Sequence, residues 1–216
     1  METKIKFSDC SAECMQNTFG LRQIWESPVI DAWNKLAATM EVESHENVLL
    51  NRLKTSIVKN GDTWNEIELI EYFIAPIFTL IDFNTELFKI FSERRISATI
   101  GEYELYGEPD AFIATGTYSP KIPYFCFNEY KRLEEHKGDV RGQLLAEMLV
   151  AQTENGNMLP VYGVYVVEEF WHFVILHGRD YCISKSFAAD DEEIFDIFKI
   201  LKALKVILIE IARQGA

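Results

Sequence analysis

Apolar residues recur every three to four positions through the first eighty residues, and every second position after Ile96. Side chains return to one helix face at 3.6 residues and to one strand face at two, so helices give way to strands there. Ser27-Pro28 marks a helix start with proline at its first position, and Val29, Ala32, Trp33, Leu36 and Ala37 follow at helical spacing. A second helix is expected over Glu46–Lys59, closed by Asn60-Gly61-Asp62. A third starts at Thr63 with Glu66 as its capping-box partner and runs to Asp82, with a kink at Pro76.

Beyond Ile96 the pattern predicts a strand to Ile100, a tight turn at Gly101-Glu102, and a returning strand over Tyr103–Tyr106 and Asp110–Thr115, bent at Gly107. Tyr124–Tyr130 is a further strand and Gly138–Ala151 a helix, with Val140, Leu144, Met148 and Ala151 on one stripe. Val161–Val167, Phe170–Leu176 and Tyr181–Ser184 read as an antiparallel meander. A last helix runs from Asp191 to Arg213. It is apolar nearly all round and is therefore buried, either in this chain or in a partner through which the chain would form a homodimer. The order of elements predicts an α/β (α+β) fold: a mixed central sheet flanked by helices.

With 216 residues, 48% hydrophobic and 25% charged, the composition is that of a globular domain and excludes a disordered chain. Tyr72–Ile81, ten residues, is the longest uncharged stretch of the densely apolar Glu71–Asp82 region, and a spanning helix needs about twenty, so no membrane partner is expected. Met1-Glu2-Thr3-Lys4 leads into no apolar run, so no secretory signal is expected. Four cysteines suit a reducing cytoplasm, and Cys10 and Cys14 lack a second pair at zinc-ligand spacing. The net charge of −13 argues against a protein that coats nucleic acid through its whole surface. It leaves a nuclease open, because a site for a divalent cation is acidic and its basic surface need only be local.

The chemistry concentrates in Glu108–Gln152. Asp110 follows Pro109 where one strand starts, and Glu129-Tyr130-Lys131 ends the next. Alternation puts Glu129 and Lys131 on one face and Tyr130 on the other. If the strands pair, two carboxylates and an ammonium converge at a sheet edge. Carboxylates offer hard oxygens for Mg²⁺ or Mn²⁺, the metal activates a water, and the lysine stabilises charge on a phosphate. The competing reading is a surface salt bridge between Lys131 and a neighbouring acid.

Pro109-Asp110, Glu129-Tyr130-Lys131 and a following helix with Gln143 resemble the PD-(D/E)XK nuclease superfamily, with its restriction-endonuclease-like fold. The likeness spans roughly Trp64–Leu204 in element order. Gly142-Gln143-Leu144-Leu145-Ala146-Glu147-Met148 with Ala151-Gln152, then Val161-Tyr162-Gly163, is similar to a largely uncharacterised bacterial branch. Phe19-Gly20-Leu21 and Trp64-Asn65-Glu66 also resemble members of that branch. The resemblance implies a nuclease-like core over 63–216 with an N-terminal helical extension over 1–62. It implies Asp110 and Glu129 as metal ligands, Lys131 as the catalytic lysine, and Gln143 as a helper at the site. It adds a glutamate from the helix before the sheet, for which Glu71 is preferred to Glu68. Asn128 departs from the pattern, which has an apolar residue there. Glu147 lies one turn beyond Gln143 on the same face, with capping or pairing to Arg141 or Lys137 as its plain alternative.

The implied function is Mg²⁺- or Mn²⁺-dependent hydrolysis of phosphodiester bonds, with DNA the first expected partner and restriction or defence the expected setting. The alternative is a non-catalytic protein of nuclease fold that serves as a regulatory or assembly module. Lys121, Lys131, Arg132, Lys137 and Arg141 form a local basic edge, diluted by Glu134, Glu135 and Asp139. His172, between Trp171 and Phe173, reads as a packed strand residue rather than a base.

Overall fold

The computed structural model describes residues 3–131, 138–156 and 159–214. Arg132, Glu134, Glu135, His136 and Lys137 lie outside them, so two of the five cations of the expected basic edge, Arg132 and Lys137, do too.

In chain order the elements are β1 (Thr3–Lys6), α1 (Ala12–Phe19), β2 (Arg22–Gln23), α2 (Pro28–Ala37), α3 (Ser44–Asn60) and α4 (Glu66–Leu69). One π-helical turn over Ile70–Ile74 joins α4 to α5 (Ala75–Ile81). Then come β3 (Lys89–Ser92), β4 (Ile96–Ile100), β5 (Tyr103–Gly107), β6 (Ala111–Thr115), β7 (Lys121–Lys131) and α6 (Val140–Glu154). The chain closes with β8 (Val161–Val167), β9 (Phe170–His177), β10 (Asp180–Ile183), β11 (Phe187–Ala188) and α7 (Glu193–Gln214). The fold is mixed α/β.

Among the described residues the strands form two sheets. The larger has the order β2-β10-β9-β8-β7-β6-β3, with β11 paired to β9. In it β3, β6 and β7 run antiparallel, while β8 lies parallel to β7 after the α6 crossover. The smaller sheet, β1-β5-β4, stands apart. The continuous alternation of Tyr103–Thr115 predicts a single bent strand, but Gly107-Glu108-Pro109 divides it between the two sheets. Proline has no N–H for a ladder, and a Cβ on Gly107 would meet the Phe7 ring at 2.4 Å. The N-terminal sixty residues are likewise not all helical, because β1 pairs with β5 and β2 with β10.

The large sheet separates two cores. On one face α2, α3, α5 and α7 bury Trp33, Leu50, Phe73, Ile77, Phe198 and Leu204 against Phe125, Tyr130, Val164 and Phe173. On the other, α1 and α6 bury Met15, Leu144, Leu145 and Met148 against Phe112, Phe127 and Val174. The Phe112 and Phe127 rings stack at 5.3 Å between centroids. The apolar surface of α7 is packed largely against its own chain, with Phe195, Ile207, Ile209 and Ile211 partly buried there. Two lysines of α7 are engaged as well. Lys202 Nζ donates to Glu46 and to the Glu41 carbonyl, and Lys205 Nζ donates to the Ile81 carbonyl. Among the described residues no helix is long and apolar enough to cross a membrane.

Candidate active site

Three elements carry the candidate residues, and sequence chemistry fixes how each is held. Asp139 caps α6 by accepting from the Arg141 and Gly142 N–H groups, and its other oxygen accepts from Ala12 N at 2.7 Å. Two glycines then let α6 sit close. A Cβ on Gly142 would fall 2.4 Å from the Ser11 carbonyl carbon, and one on Gly163 would fall 2.7 Å from Met148 Sδ. With α6 pressed onto β7 and β8, the side chains of Gln143 and Glu147 are directed at the end of β7.

Asp110 and the Glu129-Tyr130-Lys131 run meet there. Ala111 is opposite Asn128 in the β6–β7 ladder, which puts Asp110 beside the end of β7. Its Oδ2 accepts from the Tyr130 N–H at 2.9 Å. Tyr130 packs into the core on the far face, while Glu129 points toward α6 and Glu147. Asn128 is buried, with only a long 3.5 Å contact from its amide nitrogen to the Ala111 carbonyl.

The electrostatics are unusual. Glu129 and Glu147 are both 0% exposed, and none of their four carboxyl oxygens has a hydrogen-bond donor. Burial pushes Glu129 up to about 8; the Asp110 charge adds to that rise and Lys131 opposes it. Glu147 is raised well above the usual carboxylate range, first by burial and then by Glu129. Asp110 is raised by burial, against the pull of the Tyr130 N–H and of Lys131. The hydrogen bond open to Glu129 and Glu147 is one between the carboxyls themselves, and it requires a proton. The Gln143 amide biases both toward ionisation without reaching either as an oriented donor.

The upstream glutamates are placed differently from the expectation. The capping box forms at Asn65, two residues later than predicted. Glu68 N donates to Asn65 Oδ1, and Asn65 N donates to Glu68 Oε2, both at 2.9 Å. Thr63 instead bonds back to the Asn60 carbonyl. Glu68 is thereby occupied in the cap. Glu71 is exposed and lines a separate hollow with Leu49, Pro76 and Leu80. The acid that α4 does bring alongside Asp110 is Glu66. Both line a cavity of about 500 Å³ floored by Ile70, Ile74 and Phe78, with Asp82 and Glu93 at its rim.

Asp110 and Glu129 are thus neighbours, Lys131 acts on both, and Glu147 is a member that charge pattern alone does not reveal. Its one sequence signal is its place four residues after Gln143. Hard carboxylate oxygens without donors are a set that a divalent cation would satisfy. Among the described residues, no three His, Cys, Asp or Glu side chains stand ready to hold a metal, so water or substrate would have to complete the shell. His172 stacks on Tyr165 at 4.4 Å, and burial and Arg141 lower its basicity, so it is a packed residue. Compared with protein-family models and with curated proteins, the chain matches none.

Proposed function

We propose that this chain is a divalent-metal-dependent nuclease that hydrolyses phosphodiester bonds, DNA foremost, in restriction or defence. The observation that carries the reading is Glu129: a carboxylate buried with no donor, next to Asp110 and Lys131 at the end of paired strands. A buried carboxylate of this kind is costly unless a proton or a cation neutralises it. The strand order supports the same reading. The paired strands β6 and β7, the α6 crossover and parallel β8 keep part of the element order that the resemblance implies, whereas the expected first strand, Ile96–Ile100, lies in the small sheet and β3 takes the place beside β6.

Mg²⁺ or Mn²⁺ bound at Asp110 and Glu129 would supply a polarised water and neutralise charge at the phosphate. The chain's own residues do the rest. Asp110 is held in orientation by the Tyr130 N–H. Glu129 would have to be ionised to hold such an ion; Lys131 and Gln143 favour that ionisation, and Glu147 lies beside it. The Lys131 ammonium lies where it stabilises charge that builds on the phosphate. A second reading, a non-catalytic regulatory or assembly protein, is favoured by the lack of a ready three-ligand group among the described residues.

Plasmid, single-stranded DNA and RNA incubated with Mg²⁺ or Mn²⁺, against EDTA controls, separate the two. Metal-dependent cleavage of one of them is expected. No cleavage of any of the three overturns the nuclease reading in favour of the second.

A further inference from the structure

Beside Lys131 and Gln143, on the side of the small sheet, lies a cleft of about 480 Å³. It is separate from the acidic cavity at Asp110. Lys6 at the end of β1 and Arg95 just before β4 line it, with Tyr106 of β5 and Glu108. The Arg95 guanidinium sits over the Tyr106 ring, 4.7 Å from its centroid, which fixes the direction of a long side chain. Neither Lys6 nor Arg95 pairs with a carboxylate among the described residues, although other exposed cations do: Lys4 with Glu104, Arg22 with Asp180, and Lys185 with Glu193. In a chain of net charge −13, Lys6, Arg95 and Lys131 against the single acid Glu108 in one cleft amount to a local positive field. The cavity on the other side of the site has Glu66, Asp82, Glu93 and Asp110 in its lining and no lysine or arginine.

We propose that Lys6 and Arg95 of the small sheet form a phosphate-binding subsite that holds the backbone of a nucleic-acid strand and leads it to Lys131. The strand then approaches over this cleft, whose cations outnumber its one acid, Glu108, rather than over the acidic cavity. The small sheet, which the large sheet does not need for its own pairing, acts as the wall of the substrate path. The inference rests on the nuclease reading for the role of Lys131 but is tested apart from it.

The test is fluorescence anisotropy of a labelled 20-nucleotide single-stranded DNA, titrated with salt in Ca²⁺ to neutralise the carboxylates. Lys6→Gln and Arg95→Gln are each expected to lower the slope of log affinity against log salt by about 0.7, which is about fivefold in affinity at 0.1 M salt. The double variant should lose both increments, Arg95→Lys should keep most of its slope, and Lys59→Gln, on the far-side helix α3, should match wild type. Wild-type slope in the double variant overturns the proposal, as does a wild type that binds no strand. An inorganic phosphate or mononucleotide arm, read as a melting shift, identifies a cleft for free phosphate: a shift that depends on Lys6 and Arg95, without strand binding, also overturns it. Strand binding that depends on the cleft but brings no cleavage in Mg²⁺ or Mn²⁺ keeps the subsite and removes the nuclease reading. Cleavage that the double variant retains in full, with unchanged slope, does the reverse.

Discussion

Glu129 on β7 and Glu147 on α6 face each other across the sheet–helix interface, both sealed from solvent and both without a donor. Burial raises the proton affinity of each, and Glu129 raises that of Glu147 further. That favours a proton held between them.

Stability of the metal-free protein should accordingly fall as pH rises. Glu129 is raised to about 8 in the folded chain, from an ordinary value of 4.5. Between those values the folded state holds a proton that the unfolded state has released, so the stability this group contributes is present below the ordinary value and lost on approach to 8. Urea midpoints measured from pH 5 to 8 in EDTA should decline, and Glu129→Gln should flatten the decline. A midpoint constant over that range in the wild type would mean that the carboxyls are not protonated.

Glu147 separates charge from volume. Glu147→Gln keeps the shape and removes one of the two buried ionisable groups, so at pH 8 it should raise the melting temperature. A gain of 1 kcal/mol corresponds to about 2–4 °C for a chain of this size. Glu147→Ala leaves a void beside Glu129 and should gain less or lose stability. Equal losses in both variants at pH 8 would assign Glu147 a favourable interaction that its lack of donors denies.

The docking of α6 predicts an order for two glycines. A Cβ on Gly142 meets the main chain of Ser11 and Ala12, which is fixed by the Asp139 cap, whereas one on Gly163 meets the adaptable Met148 side chain. Gly142→Ala should cost about 1–3 kcal/mol despite alanine's better helix propensity, and Gly163→Ala should cost less. Chemical denaturation of both variants checks the order.

Much of the fold was legible. The stripe of Val140, Leu144 and Met148 gives α6, and short apolar runs give the β8–β10 meander. Proximity of Asp110 to Glu129 follows from two strands in succession. What stayed hidden depended on tertiary pairing. β1 has no core until β5 lies beside it, and the alternation of Tyr103–Thr115 carries no sign of which sheet each half joins. Thr63 and Asn65 are both competent caps, and the choice of Asn65 is what commits Glu68 and leaves Glu66 at the cavity. Glu147 was marked only by its place one turn beyond Gln143, and its burial was not legible because a helical glutamate normally faces water.

That choice of cap has a metal consequence. If Glu66 contributes to a cation at Asp110, Glu66→Gln should reduce the Mn²⁺-induced rise in melting temperature, and Glu71→Gln should not. Stabilisation by a ligand at ten times its Kd is about 1.4 kcal/mol, a shift of a few degrees. An equal loss in both variants would show that only the general negative charge is being screened.

The central claim is that Asp110, Glu129 and Lys131 act together on a phosphodiester. It is tested most directly by the initial cleavage rate of Lys131→Ala against wild type in Mn²⁺, with melting temperature as the control for folding. Lys131 is partly exposed at a strand end, so its loss should leave the fold intact. Removal of one electrostatic stabiliser at the reacting group typically lowers the rate by about 10²–10³, and that drop at unchanged melting temperature is the predicted result. A folded Lys131→Ala that cuts as fast as wild type would contradict the account.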